Sequence, residues 1–453
     1  MRALGSDARA WWCEVTRYQW FVFAIVSGAW LFDTLDQRIF SLSRIAALSN
    51  LMGAPGTDLA VQAMAKSATA IFLIGWGVGG LVIGALGDRF GRSRLLLASV
   101  ALYSVCSGAT AMVTTADAFA ALRLLTGIGI GGVFGLAVTI LSEVVSGQAR
   151  VAMLALLQVL STVGNILAAV LKMAADHLVA NGHLAQDDVW RVLFFIGALP
   201  ILICVVGAWR LREPEPWRRL QVAGQLPKGA LGAFIELFRS REDRRNLVIG
   251  SLLSIAGVVG LWAIGEFAVD LQDAVFTLHF QKNHPAQAVR ALVADAKNWA
   301  YFLQMVGGAL GMMVFGYAAN RIGRRPAFII AFAGAFVVTV MVYWKLQTPL
   351  DAYWMMPLMG AFQLGVFAGF SIYLPELFGG RVRGTGVSVA YNLGRFAAAA
   401  GGFGSAFLTT RVFGHIEGPD ALRYSAMLMC SIFLIGILAA WRAPETRGAE
   451  YRD

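Results

Sequence analysis

Gly84-Ala85-Leu86-Gly87-Asp88-Arg89-Phe90-Gly91-Arg92-Ser93-Arg94 is a short charged island between two long apolar runs. A tight connection between helices needs glycine for close backbone approach, and Gly87 and Gly91 supply it. The island recurs 232 positions later as Ala319-Asn320-Arg321-Ile322-Gly323-Arg324. Ser142-Glu143 with Arg150 recurs as Pro375-Glu376 with Arg383, and Arg212-Glu213-Pro214-Glu215 as Arg442-Ala443-Pro444-Glu445. Three marks at nearly one offset divide the chain into two homologous halves, near 1–220 and 235–453.

Outward from the island, the 453-residue chain is 58% hydrophobic and 14% charged. Soluble domains are nearer half apolar and a quarter charged, so lipid is the expected solvent. Spans of about 20 apolar residues fall at 18–41, 66–87, 94–113, 117–141, 150–173 and 190–210. Six more fall at 246–270, 297–319, 326–346, 351–374, 385–410 and 421–442. The longer connections are 42–65, the basic stretch 211–245 and the polar segment 271–296. The expectation is an all-α membrane protein of twelve transmembrane helices in two pseudo-symmetric six-helix bundles, 1–210 and 246–453, joined by a cytoplasmic linker 211–245. Parallel repeats of this kind place a substrate at the midplane between the halves.

With the N-terminus inside, cytoplasmic segments hold 24 Lys and Arg, the opposite side 11, and two lie within spans. That bias predicts both termini cytoplasmic, and the lack of an Asn-x-Ser/Thr acceptor, with a first outer loop confined to 42–65, favours a bacterial inner membrane. It also accounts for the net charge of +10 without nucleic acid. The first apolar run continues for a full span with no small-residue cleavage site, so it reads as a retained helix. Cys13, Cys106, Cys204 and Cys430 share no metal spacing, and no Gly-x-x-x-x-Gly-Lys-Ser/Thr loop is present. No metal, cofactor, catalytic residue or ATP-driven pumping is expected, and the working unit is taken as a monomer in the lipid bilayer.

Acids at the ends of helices add nothing to the positive-inside rule. Asp88 and Glu143, with Arg92, Arg150 and Arg381 or Arg383, are therefore expected to form an ion-pair network across the cytoplasmic ends. Ionisable groups inside spans are costly and face cavities or partners. The candidates are Asp33 and Asp36, three apart on one helical face, then Arg123 and Arg395. Arg38 is read as an outer-end residue able to pair with either acid, and Asp36 as the more hydrated of the two. Lys172, Glu266 and Asp270 are read as outer-end groups, and Trp76, Trp262, Phe267, Trp299, Phe370 and Tyr391 as candidates for an aromatic pocket.

At these motifs the chain resembles the major facilitator superfamily over essentially its whole length. The Gly84–Arg94 island resembles the family's signature loop, and Arg123-Leu-Leu-Thr-Gly-Ile-Gly-Ile-Gly-Gly132 its fourth-span motif. On that resemblance Arg123 and Glu376 join the gating set of Asp88, Arg92, Glu143, Arg150, Arg381 and Arg383. The stretch Leu374 to Gly386 and the closing Pro444-Glu445-Thr446 resemble the branch of sugar porters, organic-ion transporters and aromatic-acid/proton symporters. One departure is Asn320, where an aspartate like Asp88 is expected. Arg395, nine residues after Gly386, resembles the substrate-facing arginine of organic-anion carriers, with Tyr391, Asn392, Asn165, Trp262 and Phe370 as further binding candidates. Gln158 resembles a sugar porter's glutamine, but spans seven and ten lack the sugar-porter signatures.

The resemblance implies a secondary active transporter, not an enzyme, moving a small organic anion with protons by alternating access. A sugar or polyol carrier is the alternative, and a non-transporting receptor on the same fold is another. Asp33 is the expected proton carrier, with Asp36 as the second choice.

Overall fold

The computed structural model describes residues 11–229, 232–282, 284–416 and 420–449, less the side chains at 266, 267, 286, 287, 402, 403, 405, 406 and 410. Glu266 and Phe267 therefore lie outside the described side chains. Six spans form the first bundle: α1 (Arg17–Met52), α2 (Leu59–Phe90), α3 (Arg92–Thr110), α4 (Ala116–Val144), α5 (Gly147–Ala180) and α6 (Gln186–Arg210). The second holds α7 (Arg241–Gln281), α8 (Ala286–Ile322), α9 (Arg324–Lys345), α10 (Pro349–Leu377), α11 (Arg383–Phe407) and α12 (Asp420–Arg442). Two short helices, Glu215–Val222 and Gly232–Arg239, lie between the bundles.

Among the described residues, nine of these spans are long and apolar enough to cross a membrane by length and composition alone; α1, α3 and α11 are not among them. Their polar residues are turned into protein instead of lipid, as Asp33, Asp36, Ser99, Ser107, Ser388 and Asn392 are all buried. The helices also overrun their expected ends. The first was expected to stop near 41 and runs to Met52, and the polar stretch 271–296 is almost wholly helical. Intrahelical hydrogen bonds satisfy the backbone on either side of a lipid boundary, so polarity alone does not stop a helix. α1 starts instead at a capping box, Thr16 with Gln19, and stops at left-handed Gly53.

Small residues let helices touch within each half. Gly75 and Gly79 of α2 face the backbone of Leu124 and Ile128 in α4, so a Cβ on either would overlap a carbonyl. Gly307 and Gly311 of α8 meet Pro357 and Ala361 of α10 in the same way. The duplication read in the sequence thus returns as one crossing built twice. Its loops repeat too. Gly91 and Gly323 both have positive φ (113° and 102°), and each precedes a helix whose first N–H groups bond a distant glutamate. Glu213 accepts from Ser93 and Arg94, and Glu445 from Arg324 and Arg325. An anion at a helix N-terminus complements the helix dipole.

The face where Trp11 meets Thr446 and Arg447 carries both ends of the described chain; we call it the terminal face, and its opposite the distal face. The halves meet along two seams. In one, Gly80, Gly84 and Gly135 receive Asn392 and Ser388 of α11. In the other, α5 meets α8, where a Cβ on Gly316 would lie 2.9 Å from the Ala155 Cβ.

Candidate substrate-binding site

A cavity of about 150 Å³ lies between the halves. On α1 it is lined by Trp30, Thr34, Gln37, Arg38 and Ser41, a single helical face. Gln158 and Asn165 of α5, Trp262 of α7, Tyr301 and Gln304 of α8, and Tyr391 and Arg395 of α11 complete it. Of the residues expected to bind substrate, Arg395, Tyr391, Gln158, Asn165 and Trp262 therefore share one cavity. Two do not line it. Asn392 sits behind Arg395, accepting from its Nη1 at 2.7 Å, while its own amide bonds the Ser388 carbonyl. Phe370 is fully buried among Phe328, Phe367 and Tyr391, so its ring belongs to the packing behind Tyr391.

The Arg395 guanidinium lies 3.6 Å from the Trp76 ring centroid and 4.5 Å from that of Tyr391. Stacked on two rings and donating Nη1 to Asn392, it has its remaining donors for a ligand. Tyr391 in turn stacks on Phe134 of the other half at 3.8 Å, flooring the cavity toward the terminal face. Gln158 accepts from Trp30 Nε1 at 3.1 Å, leaving its Nε2 without a protein partner. Trp30, Gln37, Tyr301 and Gln304 escaped the sequence reading. The stripe Trp30, Thr34, Gln37, Ser41 carries the signal that finds them, since its spacing of four, three and four is one helical face in an apolar span.

The paired acids of α1 have separate surroundings. Asp36 accepts from Ser107 and pairs with Arg123 at 3.3 Å; Arg123 also donates to Thr110 at 2.6 Å. Arg123 was expected with the cytoplasmic gate, but it completes this buried pair instead. Asp36 was expected to be the more hydrated acid, yet it is fully buried. The extra turns of α1 and the rings of Phe40, Phe119 and Phe194 cover the pair. Asp33, also fully buried, accepts from Gln37 at 2.6 Å, and its Oδ2 has no partner. Arg395 is the cation whose charge acts on it. Arg38 pairs with neither acid; it stacks over Tyr301 at 4.4 Å, because α1 carries it past them to the opposite wall. Outside the cavity, Lys172 binds Asp176, and Asp270 and Trp299 are exposed on the surface of the bundle.

At the terminal face a buried network joins the halves. Arg92 binds Asp88 at 3.1 Å, Glu143, and the Gly380 carbonyl at 2.5 Å. Glu143 also binds Arg383 of the other half. Asp88 accepts from the N–H groups of Gly384 and Thr385 (3.1 and 2.7 Å) and from the Thr385 hydroxyl (2.8 Å), so it caps α11 across the seam. Four of the eight expected gate residues are thus brought together. The other expected members lie elsewhere. Glu376 binds Arg324 (2.7 Å) and Thr446 (2.5 Å) within its own half, and Arg381 binds Glu236 of the short second linker helix at 2.8 Å. Arg150 donates to the Val145 carbonyl at 2.7 Å. Asn320, at the place of Asp88, makes no side-chain hydrogen bond among the described residues. Around it, Arg150, Arg324 and Glu376 line a cavity of about 1150 Å³. The buried network therefore joins one seam with charge, while the symmetry-related place is hollow.

Comparison with known proteins follows the same lines. The family model of the Major Facilitator Superfamily matches residues 31–280. The chain is 26% identical over 440 residues to a protein of Cupriavidus pinatubonensis described as a probable 4-methylmuconolactone transporter, covering 97% of this chain and 94% of that one. It is 27% identical over 385 residues to the cis,cis-muconate transport protein of Acinetobacter baylyi, covering 84% of each. Among solved structures, the proton:xylose symporter XylE bound to 6-bromo-6-deoxy-D-glucose matches with a TM-score of 0.74 at 18% identity, over 95% of this chain and 97% of that one. Two six-helix bundles, a duplicated glycine loop and a central cavity agree with the family model's match over residues 31–280, and the chain belongs to the major facilitator superfamily as a transporter of that family's type.

Proposed function

We propose that this transporter is a proton-coupled symporter of a small organic anion, working by alternating access in a bacterial inner membrane. Arg395 carries the reading: a fixed cation, stacked on Trp76 and Tyr391, faces the central cavity with no carboxylate of the described residues bonded to it. A buried charge of this kind is costly unless a counter-ion arrives, and a substrate carboxylate fits its fork. Size narrows the choice, since a cavity of about 150 Å³ holds a molecule about as large as benzene. The named relatives, which carry muconate and methylmuconolactone, support an organic acid.

In this reading the halves 1–210 and 246–453 rock about the linker 211–245, with the terminal face in the cytoplasm as the Lys and Arg bias implies. The Asp88, Arg92, Glu143 and Arg383 network holds the cytoplasmic side shut. Asp33 carries the proton, at the oxygen that lacks a protein partner. Substrate at Arg395 and a proton on Asp33 then report to one another through the charge they share.

The test is uptake of radiolabelled benzoate and cis,cis-muconate into proteoliposomes under an imposed pH difference. Accumulation that a protonophore collapses is the expected result. Accumulation indifferent to the pH difference would remove the coupling, and uptake of neither acid would remove the anion. The amides of Gln158, Asn165 and Gln304 on one wall favour a second reading, a hydroxylated substrate. Xylose is therefore included as a competitor, expected to be inert.

A further inference from the structure

The cavity has two cations and no acid. Arg38 and Arg395 both line it, and no Asp or Glu does among the described residues. Among the described residues neither arginine has an ion-pair partner: Arg38 touches the Tyr301 ring and its buried Nε is unbonded, while Arg395 has rings and the Asn392 amide. The buried arginine of the neighbouring network behaves differently, since Arg123 has Asp36 against it. A like-charged pair facing one small space without an acid is an arrangement that a ligand completes.

Heights along the helices separate the two. Gln19 of α1 bonds the Val144 carbonyl, and adjacent Glu143 binds Arg383 of α11, so Gln19 and Arg383 share a level. Arg38 is nineteen residues above that level and Arg395 twelve, which at 1.5 Å per residue puts their Cα atoms about 10 Å apart in height. The two forks thus belong to different heights of one cavity, each able to take its own carboxylate. A short carbon chain or one ring would join two carboxylates held in this way. Between the two charges the wall is mixed, with Trp262 and Met305 beside Gln37 and Gln304.

We infer that the preferred substrate is a dicarboxylate, one end held by Arg395 between its two rings and the other by Arg38 over Tyr301. The inference rests on the organic-anion reading above and narrows it. Arg395 takes any carboxylate; Arg38, nearer the distal face, discriminates diacids from monoacids. A monoacid leaves the Arg38 fork with water only, so the second carboxylate adds a charge-assisted contact that the first does not supply.

Matched pairs test this on the purified full-length protein: cis,cis-muconate with sorbate, adipate with hexanoate, terephthalate with benzoate. Each is titrated in a thermal-shift assay, where a ligand that binds the folded state raises the melting temperature. The expected result is diacid affinity about tenfold or more above the matched monoacid in at least one pair. Arg38→Gln should remove that difference, costing diacids much more affinity than monoacids, with the melting temperature of the unliganded variant showing that it is folded; Arg38→Lys should restore part of it. Diacids binding no better than monoacids in the unaltered protein would overturn the inference and leave the anion reading standing. A preference that survives Arg38→Gln would overturn Arg38 as its source. Binding of pentoses and none of the six acids would bring down the anion reading itself.

Discussion

Arg123 and Arg395 are both buried arginines in spans, and their surroundings give them opposite expected behaviour. Arg123 is held by Asp36 and Thr110, with Asp36 in turn held by Ser107, whereas Arg395 has rings, an amide and a side facing the cavity. Substituting Arg395 should therefore alter binding more than folding. Arg395→Lys keeps the charge but loses the planar fork and the stacking, so affinity for benzoate or muconate should fall about tenfold; Arg395→Gln should abolish it. Size-exclusion profiles in detergent should be unchanged in both. Asp33 gives the second prediction. Asp33→Asn should abolish accumulation driven by a pH difference and retain counterflow exchange, which needs no net proton movement. Accumulation by the variant against a gradient would show that Asp33 is not the coupling residue. Both positions were legible in the sequence because a charge in an apolar run is conspicuous. Their partners were not: spacing puts Asp33 and Asp36 on one face, but which neighbour each meets depends on how helices pack.

Among the elements, the α2–α4 and α8–α10 crossings depend on glycine where backbone meets backbone. Gly79→Leu or Gly311→Leu should force the helices apart; overpacking of this kind costs on the order of 1–3 kcal/mol. Lower expression and a melting temperature reduced by several degrees are the expected readouts, with Gly404→Leu, which faces open space, as the control. α11 supplies a further prediction, because Asp88 of α2 caps its first turn. Asp88→Asn loses the ionic part of that cap and of the Arg92 pair, so cysteines placed on the terminal face should label faster and uptake should slow. Unchanged labelling with normal uptake would remove the latch from the mechanism. The duplication and the number of spans could be read from the sequence, since repeated motifs and apolar length survive without tertiary context. Helix ends could not. Nor could the fate of Glu376, whose motif matches that of Glu143 while its partners, Arg324 and Thr446, keep it inside its own half.

For the whole molecule, the two seams differ in kind. Along α2 and α11 the halves are joined by small residues and a helix cap, while beside α5 and α8 the place of the second cap is a cavity of about 1150 Å³. In the lining of that cavity a Cβ on Gly316 would stand 2.9 Å from that of Ala155. Disulfides join Cβ atoms at about 3.8 Å, so Ala155→Cys with Gly316→Cys, in a chain whose exposed Cys13 is replaced by serine, places two thiols within bonding reach after a small adjustment. Oxidation should then arrest transport with the terminal face shut, and a reductant should release it; uptake unaffected by oxidation, with the crosslink verified by mass, would show that this seam does not part. The slack flank thereby gives the carrier a redox brake, a way to hold a whole population in one state and start it together.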